Sequence, residues 1–391
     1  MKKLNNALLL TGFLFLAMFF YGISNLAIGT LITRIIEHYS INMAQAGLLS
    51  SFISAGNFLA ILVFSVLSGR LSKMILTGAS VFFYGASLFF VSIIPPFGIL
   101  LADFSLMGIF MSVMDMTSNS LTADLGPDRV DRNMSYLHGI FGLGGLCGPV
   151  VLERLAHLMS WAEVYRVLGT AYFVYFIVYS MFIMRQWNSL SQGLNTGKSE
   201  RIGFGEIIGY FRLKRNLLLF FALFFYGGNQ SIMAVWIKRY VETYLNVPAW
   251  GAYSLSAMWL GIAISRLFIS PAIRCPPPLK ICIGNLITAL TLTAGLLCGF
   301  APGIAAAALL TGLSSGLTLP LVMALSCEWY PEKTAFGTMM AFMAFYTSFV
   351  VFPPLSGFLS DLFGIPWGVS AAVFCALMAS LFSGRLSRNQ A

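Results

Sequence analysis

Phe19-Phe20-Tyr21-Gly22 returns as Phe224-Phe225-Tyr226-Gly227, about 205 residues later. In the same register Arg34, Glu37 and Tyr39 return as Arg239, Glu242 and Tyr244, and Gly56 returns as Gly261. Farther on, Asp124-Leu125-Gly126-Pro127 is matched by Glu328-Trp329-Tyr330-Pro331, Pro149 falls opposite Pro353, and Trp161 lies near Trp367. Chance likeness between apolar helices is the plain alternative. It would not keep charges and prolines in step, so the chain reads as one unit built twice.

The nature of that unit follows from composition. The chain is 58% hydrophobic and 9% charged, against roughly 25% charged residues in an ordinary soluble domain. A soluble chain of 391 residues could not cover its core with so little polar surface. A bilayer removes that need, asking only that backbone groups be paired internally. Apolar runs long enough to cross it fall near 7–32, 43–69, 74–94, 97–122, 134–157 and 162–185. A second set falls near 216–237, 249–273, 279–300, 303–326, 335–358 and 366–384. The expected fold is therefore all-α: twelve transmembrane helices in two pseudo-symmetric six-helix bundles, 1–186 and 216–391, joined by a cytoplasmic linker over 187–215.

The first run follows Lys2 and Lys3, as a signal peptide would, but it is too long for one and lacks a small-residue cleavage site. Six cysteines (Cys147, Cys275, Cys282, Cys298, Cys327, Cys375) show no CxxC spacing and read as packing residues. The formal charge of +9 does not point to nucleic acid, because the basic residues cluster between apolar runs as topology signals. With the N-terminus inside, 17 fall on the inner side, among them Arg70, Lys73, Arg129, Arg132, Lys198 and Arg201. The outer side has five: Arg34, Arg154, Arg166, Lys238 and Arg239. Both termini are thus expected in the cytoplasm, and the chain in a bacterial cytoplasmic membrane. No metal-ligand cluster, phosphate-binding glycine loop or nucleophile motif stands out. Neither a cofactor nor enzymatic activity is expected.

Ionisable groups inside spans are costly and default to function; four stand out, Asp103, Asp115, His138 and Arg266. Asp115 lies in the fourth span with Asn119 one turn later on the same face. A carboxyl in a low dielectric can take up and release a proton at accessible pH, or it can serve as a buried structural acceptor. Asp103 is 12 residues earlier and rotated away, which suits a helix–helix contact or a wet edge. His138, early in the fifth span, can shuttle protons or bind hydroxyls, or simply pack. Arg266 in the eighth span can neutralise an acid, bind substrate, or snorkel to the membrane edge. Asn25 in the first span and Asn229 with Gln230 in the seventh occupy equivalent places, and their amides suit polyhydroxylated ligands as well as interhelical contacts. Trp259 and Tyr346 can stack on sugar rings or pack against neighbours.

The segments Asp115-Met-Thr-Ser-Asn119, Ala123-Asp-Leu-Gly-Pro127 and Arg132 through His138 to the glycine-rich Gly142–Pro149 resemble the fucose permease-like branch of the major facilitator superfamily. Phe225-Tyr-Gly-Gly-Asn-Gln230 looks like that branch's seventh helix, and Ala46-Gly-Leu-Leu-Ser50 fits its second. The resemblance implies two halves that rock around a central site, with cation-coupled uptake of a monosaccharide by a monomer. It puts Asp115 at the protonatable acid of helix four, and Asn119 and His138 at sugar contacts. Three features depart from the pattern. The branch's helix-one acid would fall near Gly29, Gln230 stands where Glu is frequent, and the loop motif between helices two and three survives only as Gly69-Arg-Leu-Ser72, with Lys73 where Asp is usual. Gly357-Phe-Leu-Ser-Asp361 keeps a similar pattern late in the second half. Sodium coupling and uniport stay open beside the proton.

The competing reading is proton-driven efflux of amphipathic compounds. Gly144 to Pro149 resembles the glycine-proline motif of antiporters, although Leu152-Glu153 replaces the paired glycines expected after it.

Overall fold

The computed structural model describes residues 2–67, 71–125, 130–191 and 204–388. Gly69 and Arg70 of the loop motif, Gly126 and Pro127, the basic residues Arg129, Lys198 and Arg201, and residues 192–203 of the expected linker lie outside them. Twelve helices are long and apolar enough to cross a membrane, and no strand forms among the described residues. From the first half come Asn6–Tyr39, Met43–Ile61, Lys73–Val91, Phe97–Leu125, Tyr136–Leu158 and Trp161–Trp187. From the second come Lys214–Tyr244, Pro248–Ile269, Pro277–Cys298, Ala301–Trp329, Phe336–Phe363 and Ile365–Arg388. The protein is a multi-pass integral membrane protein.

The chain forms two compact units. One is Met1–Ala27 with Phe52–Ser199; the other is Ile28–Ser51 with Glu200–Ala391. In each unit, glycines let helix backbones touch. In the first, the second and fourth spans meet at Gly56 and Gly108. A Cβ on Gly56 would strike the Ser105 carbonyl, and one on Gly108 the Ile53 carbonyl. In the second, the eighth and tenth spans meet the same way at Gly261 and Gly312, against the carbonyls of Leu309 and Met258. Without a hydrophobic force between helices in lipid, such close backbone packing supplies much of the adhesion.

The first and seventh spans run farther than hydropathy suggests. The first is interrupted by a turn at Leu26 and continues as Ala27–Tyr39. The seventh continues through a π-helical turn, Tyr240–Tyr244. Arg34, Lys238 and Arg239, counted above as outer-side topology signals, therefore stand in helices. Lys238 is only 1% exposed and pairs with Glu242, which also accepts a hydrogen bond from Thr33 at 2.9 Å. Charge pairing made this burial tolerable, and hydropathy could not foresee it.

The start of the second span is fully capped. Asp361 Oδ1 and Oδ2 take the N–H groups of Met43 and Ala44, each at 2.9 Å. The Asn42 side chain takes that of Gln45 at 2.8 Å, and the Gln45 side-chain carbonyl takes that of Asn42 at 3.1 Å. All four amides that a helix leaves unpaired at its N-terminus thus have partners, half of them from the eleventh span. Alongside, Ser51 Oγ donates to the Val350 carbonyl at 2.6 Å. That carbonyl lacks its helical partner because the residue four positions on is Pro354, which has no N–H.

At the linker's edges, the sixth span's helix runs on to Ser191. A short helix, Phe204–Arg212, precedes the seventh span.

Candidate functional site

Asp115 lies deep in the fourth span, Phe97–Leu125, which is unbroken. Asn119 Nδ2 donates both to the Asp115 backbone carbonyl at 2.9 Å and to its Oδ1 at 3.0 Å. One amide thereby fixes the carboxyl's rotamer from the next turn of the same helix. The Asn119 Oδ1 is buried without a hydrogen-bond partner. Among the described residues no cation forms a salt bridge with Asp115. His138 is exposed on the fifth span. Asn25 is the last residue of the first span's opening helix, beside the bend at Leu26. Asp103 is 7% exposed and lies beside Ser87 of the third span, a helix–helix contact.

In the other unit, Arg266 sits within a π-helical turn, Ser265–Ile269, that widens the eighth span. Such turns are rare and recur at functional sites. Its Nε donates to the Gly316 carbonyl at 3.1 Å, and its guanidinium lies beside the Tyr226 hydroxyl of the seventh span. Gly316 lies where the tenth span is interrupted, between the helices Ala301–Ser315 and Thr318–Trp329. Arg266 therefore reaches the middle of the tenth span. Asn229 is fully buried, and its Nδ2 donates to the Ala372 carbonyl of the twelfth span at 3.1 Å, an interhelical brace. Gln230 is 5% exposed, and its Nε2 has no hydrogen-bond partner. Trp259 is partly exposed. Tyr346 stacks on Phe342 with centroids 5.6 Å apart.

The structure thus joins Asp115 with Asn119 in one unit. In the other it joins Arg266 with Tyr226 and Gly316, two partners that sequence reasoning missed. A signal for both was present: Tyr226 belongs to the repeated Phe-Phe-Tyr-Gly, and Pro320 follows Gly316 by four residues.

Comparison with known proteins bears on the whole chain. The family model of the Major Facilitator Superfamily matches residues 14–280. No curated protein matches in sequence. Among solved structures, the peptide transporter POT in complex with sulfate is similar with a TM-score of 0.76 at 14% identity, over 97% of this chain and 94% of that one. A bacterial homologue of the human lysosomal transporter Spinster, inward-facing and unoccupied, has a TM-score of 0.74 at 14% identity, over 98% and 97%. A variant of the E. coli fucose:proton symporter has a TM-score of 0.62 at 17% identity, over 97% and 99%.

Proposed function

Since the chain belongs to the Major Facilitator Superfamily, we propose that it is a secondary active transporter working by alternating access, which takes up a monosaccharide or similar small polar solute with a coupling cation, in the first instance a proton. The observation that carries this reading is Asp115. It is a carboxyl well inside a membrane span, held by Asn119 and unpaired with any cation among the described residues. Such a group is expensive in lipid unless its proton traffic is useful. Amides at Asn25, Asn119 and Gln230 supply the donors and acceptors that a polyhydroxylated cargo needs, with His138, Trp259 and Tyr346 as further candidates. The likeness of Asp115–Asn119 to the fucose permease-like branch supports a sugar, and the fold shared with a fucose:proton symporter is compatible with it. The halves 1–186 and 216–391 are the rocking bodies in this reading. The bias of basic residues supports both termini in the cytoplasm, in a bacterial cytoplasmic membrane, with the protein a monomer.

Proton-driven uptake of labelled monosaccharides into proteoliposomes tests it. Wild type should accumulate at least one sugar under an inward proton gradient. Asp115→Asn should abolish accumulation while sparing exchange of that sugar. Accumulation that survives the substitution removes Asp115 from the proton path. Extrusion of cationic dyes with no sugar movement would establish the efflux reading instead. The glycines that suggested efflux, Gly144 and Gly148, lie against Phe19 to Ile23 of the first span, a packing role sufficient to explain them.

A further inference from the structure

Among the prolines that interrupt backbone pairing in the second unit, Pro354 and Pro320 are answered differently. Pro354 leaves the Val350 carbonyl without its helical N–H, and the neutral hydroxyl of Ser51 fills the place at 2.6 Å. Pro320 does the same to the Gly316 carbonyl four residues earlier, and there the partner is a full cation, Arg266, at 3.1 Å. A hydroxyl or an amide would satisfy a carbonyl equally well without bringing charge into a membrane span. The guanidinium has five N–H donors. One goes to Gly316, and the Tyr226 hydroxyl lies beside the group. Neither contact neutralises it, and among the described residues no carboxylate forms a salt bridge with Arg266.

Polar groups that lack partners gather near this charge. Ser265, the residue before Arg266, is 0% exposed, and its hydroxyl has no hydrogen-bond partner. Its Cβ lies close enough to Gly316 that a side chain there would collide, so Ser265 stands at the same break. Gln230 lies one helical turn beyond Tyr226 on the same face of the seventh span, with its Nε2 unpartnered. Arg266 itself is partly exposed. The result is an uncompensated, oriented cation with spare donors beside it, at irregular backbone in the middle of a span. Irregular backbone at that depth is tolerated where it is buried in protein or lines a water-filled cavity, and at this break Arg266 is the partly exposed group among buried neighbours.

We propose that Arg266, oriented by the Gly316 carbonyl and Tyr226, receives a carboxylate on the transported solute, so that the cargo is a sugar acid or similar hydroxy acid rather than a neutral sugar. The inference rests on the uptake reading above and narrows its substrate class. Planar guanidinium and carboxylate fit each other in bidentate geometry, and one guanidinium balances one carboxylate.

Two measurements on the purified full-length protein test it, with a hexuronate and the corresponding neutral hexose as probes. In proteoliposomes under a proton gradient, the hexuronate should be accumulated and should be competed only weakly by the hexose. In detergent, the hexuronate should raise the thermal midpoint while the hexose leaves it nearly unchanged. Arg266→Gln should lower the preference for hexuronate over hexose by at least about tenfold, the scale of one charge-assisted contact. Arg266→Lys, which keeps charge but loses the fork, should fall between. A wild type that moves the hexose and ignores the hexuronate overturns the carboxylate assignment and leaves the uptake reading standing. Equal loss of both solutes in the two variants, with a lowered thermal midpoint, makes Arg266 a structural brace and also overturns the assignment. Movement of neither solute, with no thermal shift and with dye extrusion, removes the uptake reading itself.

Discussion

The two halves of the chain use one scaffold and fill it with opposite chemistry. Gly56 with Gly108 and Gly261 with Gly312 make the same backbone-to-backbone seam, and both pairs keep the repeat offset of about 205 residues. At that offset Asp115 falls opposite Pro320, and Arg266 falls opposite Ile61. Where the first half carries an acid in an unbroken helix, the second carries a proline that interrupts its helix and a cation that answers the interruption. Packing was kept between the copies, as were Arg34 and Glu37, which return as Arg239 and Glu242, while Asp115 and Arg266 have no charged counterpart. In membrane proteins adhesion depends on small residues, and function on the few charges that lipid tolerates.

The seams give the largest effect. Gly56→Leu and Gly312→Leu each force a side chain onto a neighbouring carbonyl and should cost at least about 3 kcal/mol. The expected outcome is loss of the monodisperse peak in fluorescence-detected size exclusion, to a similar extent in both halves. Gly139→Ala has open space around its Cβ and should shift stability only slightly, towards gain, since Ala is the better helix former by about 1 kcal/mol. A severe loss at one seam and tolerance at the other would break the equivalence of the two halves.

A second comparison concerns helix starts. Asp361 caps the second span with both carboxylate oxygens, whereas at the sixth span Ser160 and Glu163 cap each other locally. Asp361→Ala should lower thermal stability by about 2 kcal/mol, more than Glu163→Ala does. The local cap can be read directly from Ser160-Trp-Ala-Glu163 as a capping box. The distant one cannot, since Asp361 stands 318 residues from Met43.

The same distinction governs what the sequence made legible. Span positions, the six-plus-six arrangement of apolar runs and the repeat could be read because hydropathy and register are local or periodic. The pairing of Asp115 with Asn119 was within reach, being a contact along one helix. The partners of Arg266 come from the seventh and tenth spans, and the repeat and Pro320 mark those positions without showing that one cation meets both. Lys238 was misjudged as a loop residue for a related reason. Hydropathy ends a span at the first charges, while the helix continues through them once Glu242 supplies the counter-charge.

The smallest effect belongs to Lys333 and Glu206, an ion pair between the short helix Phe204–Arg212 and the residue just before the eleventh-span helix. It looks like the counterpart of Lys238 with Glu242, but the side chains are 52% and 37% exposed, against 1% and 10%. Water and salt screen the exposed pair, which is worth at most about 0.5 kcal/mol. The short helix is held elsewhere. Tyr210 is buried between Tyr330 and Phe336, with ring centroids 5.9 and 6.0 Å away. Asn216 ties the Tyr210 carbonyl to the Tyr330 hydroxyl at 3.0 and 2.6 Å. Lys333→Ala should therefore leave the thermal midpoint unchanged within error at any ionic strength. A salt-dependent drop would mean that the pair, rather than the aromatic stack, docks this helix.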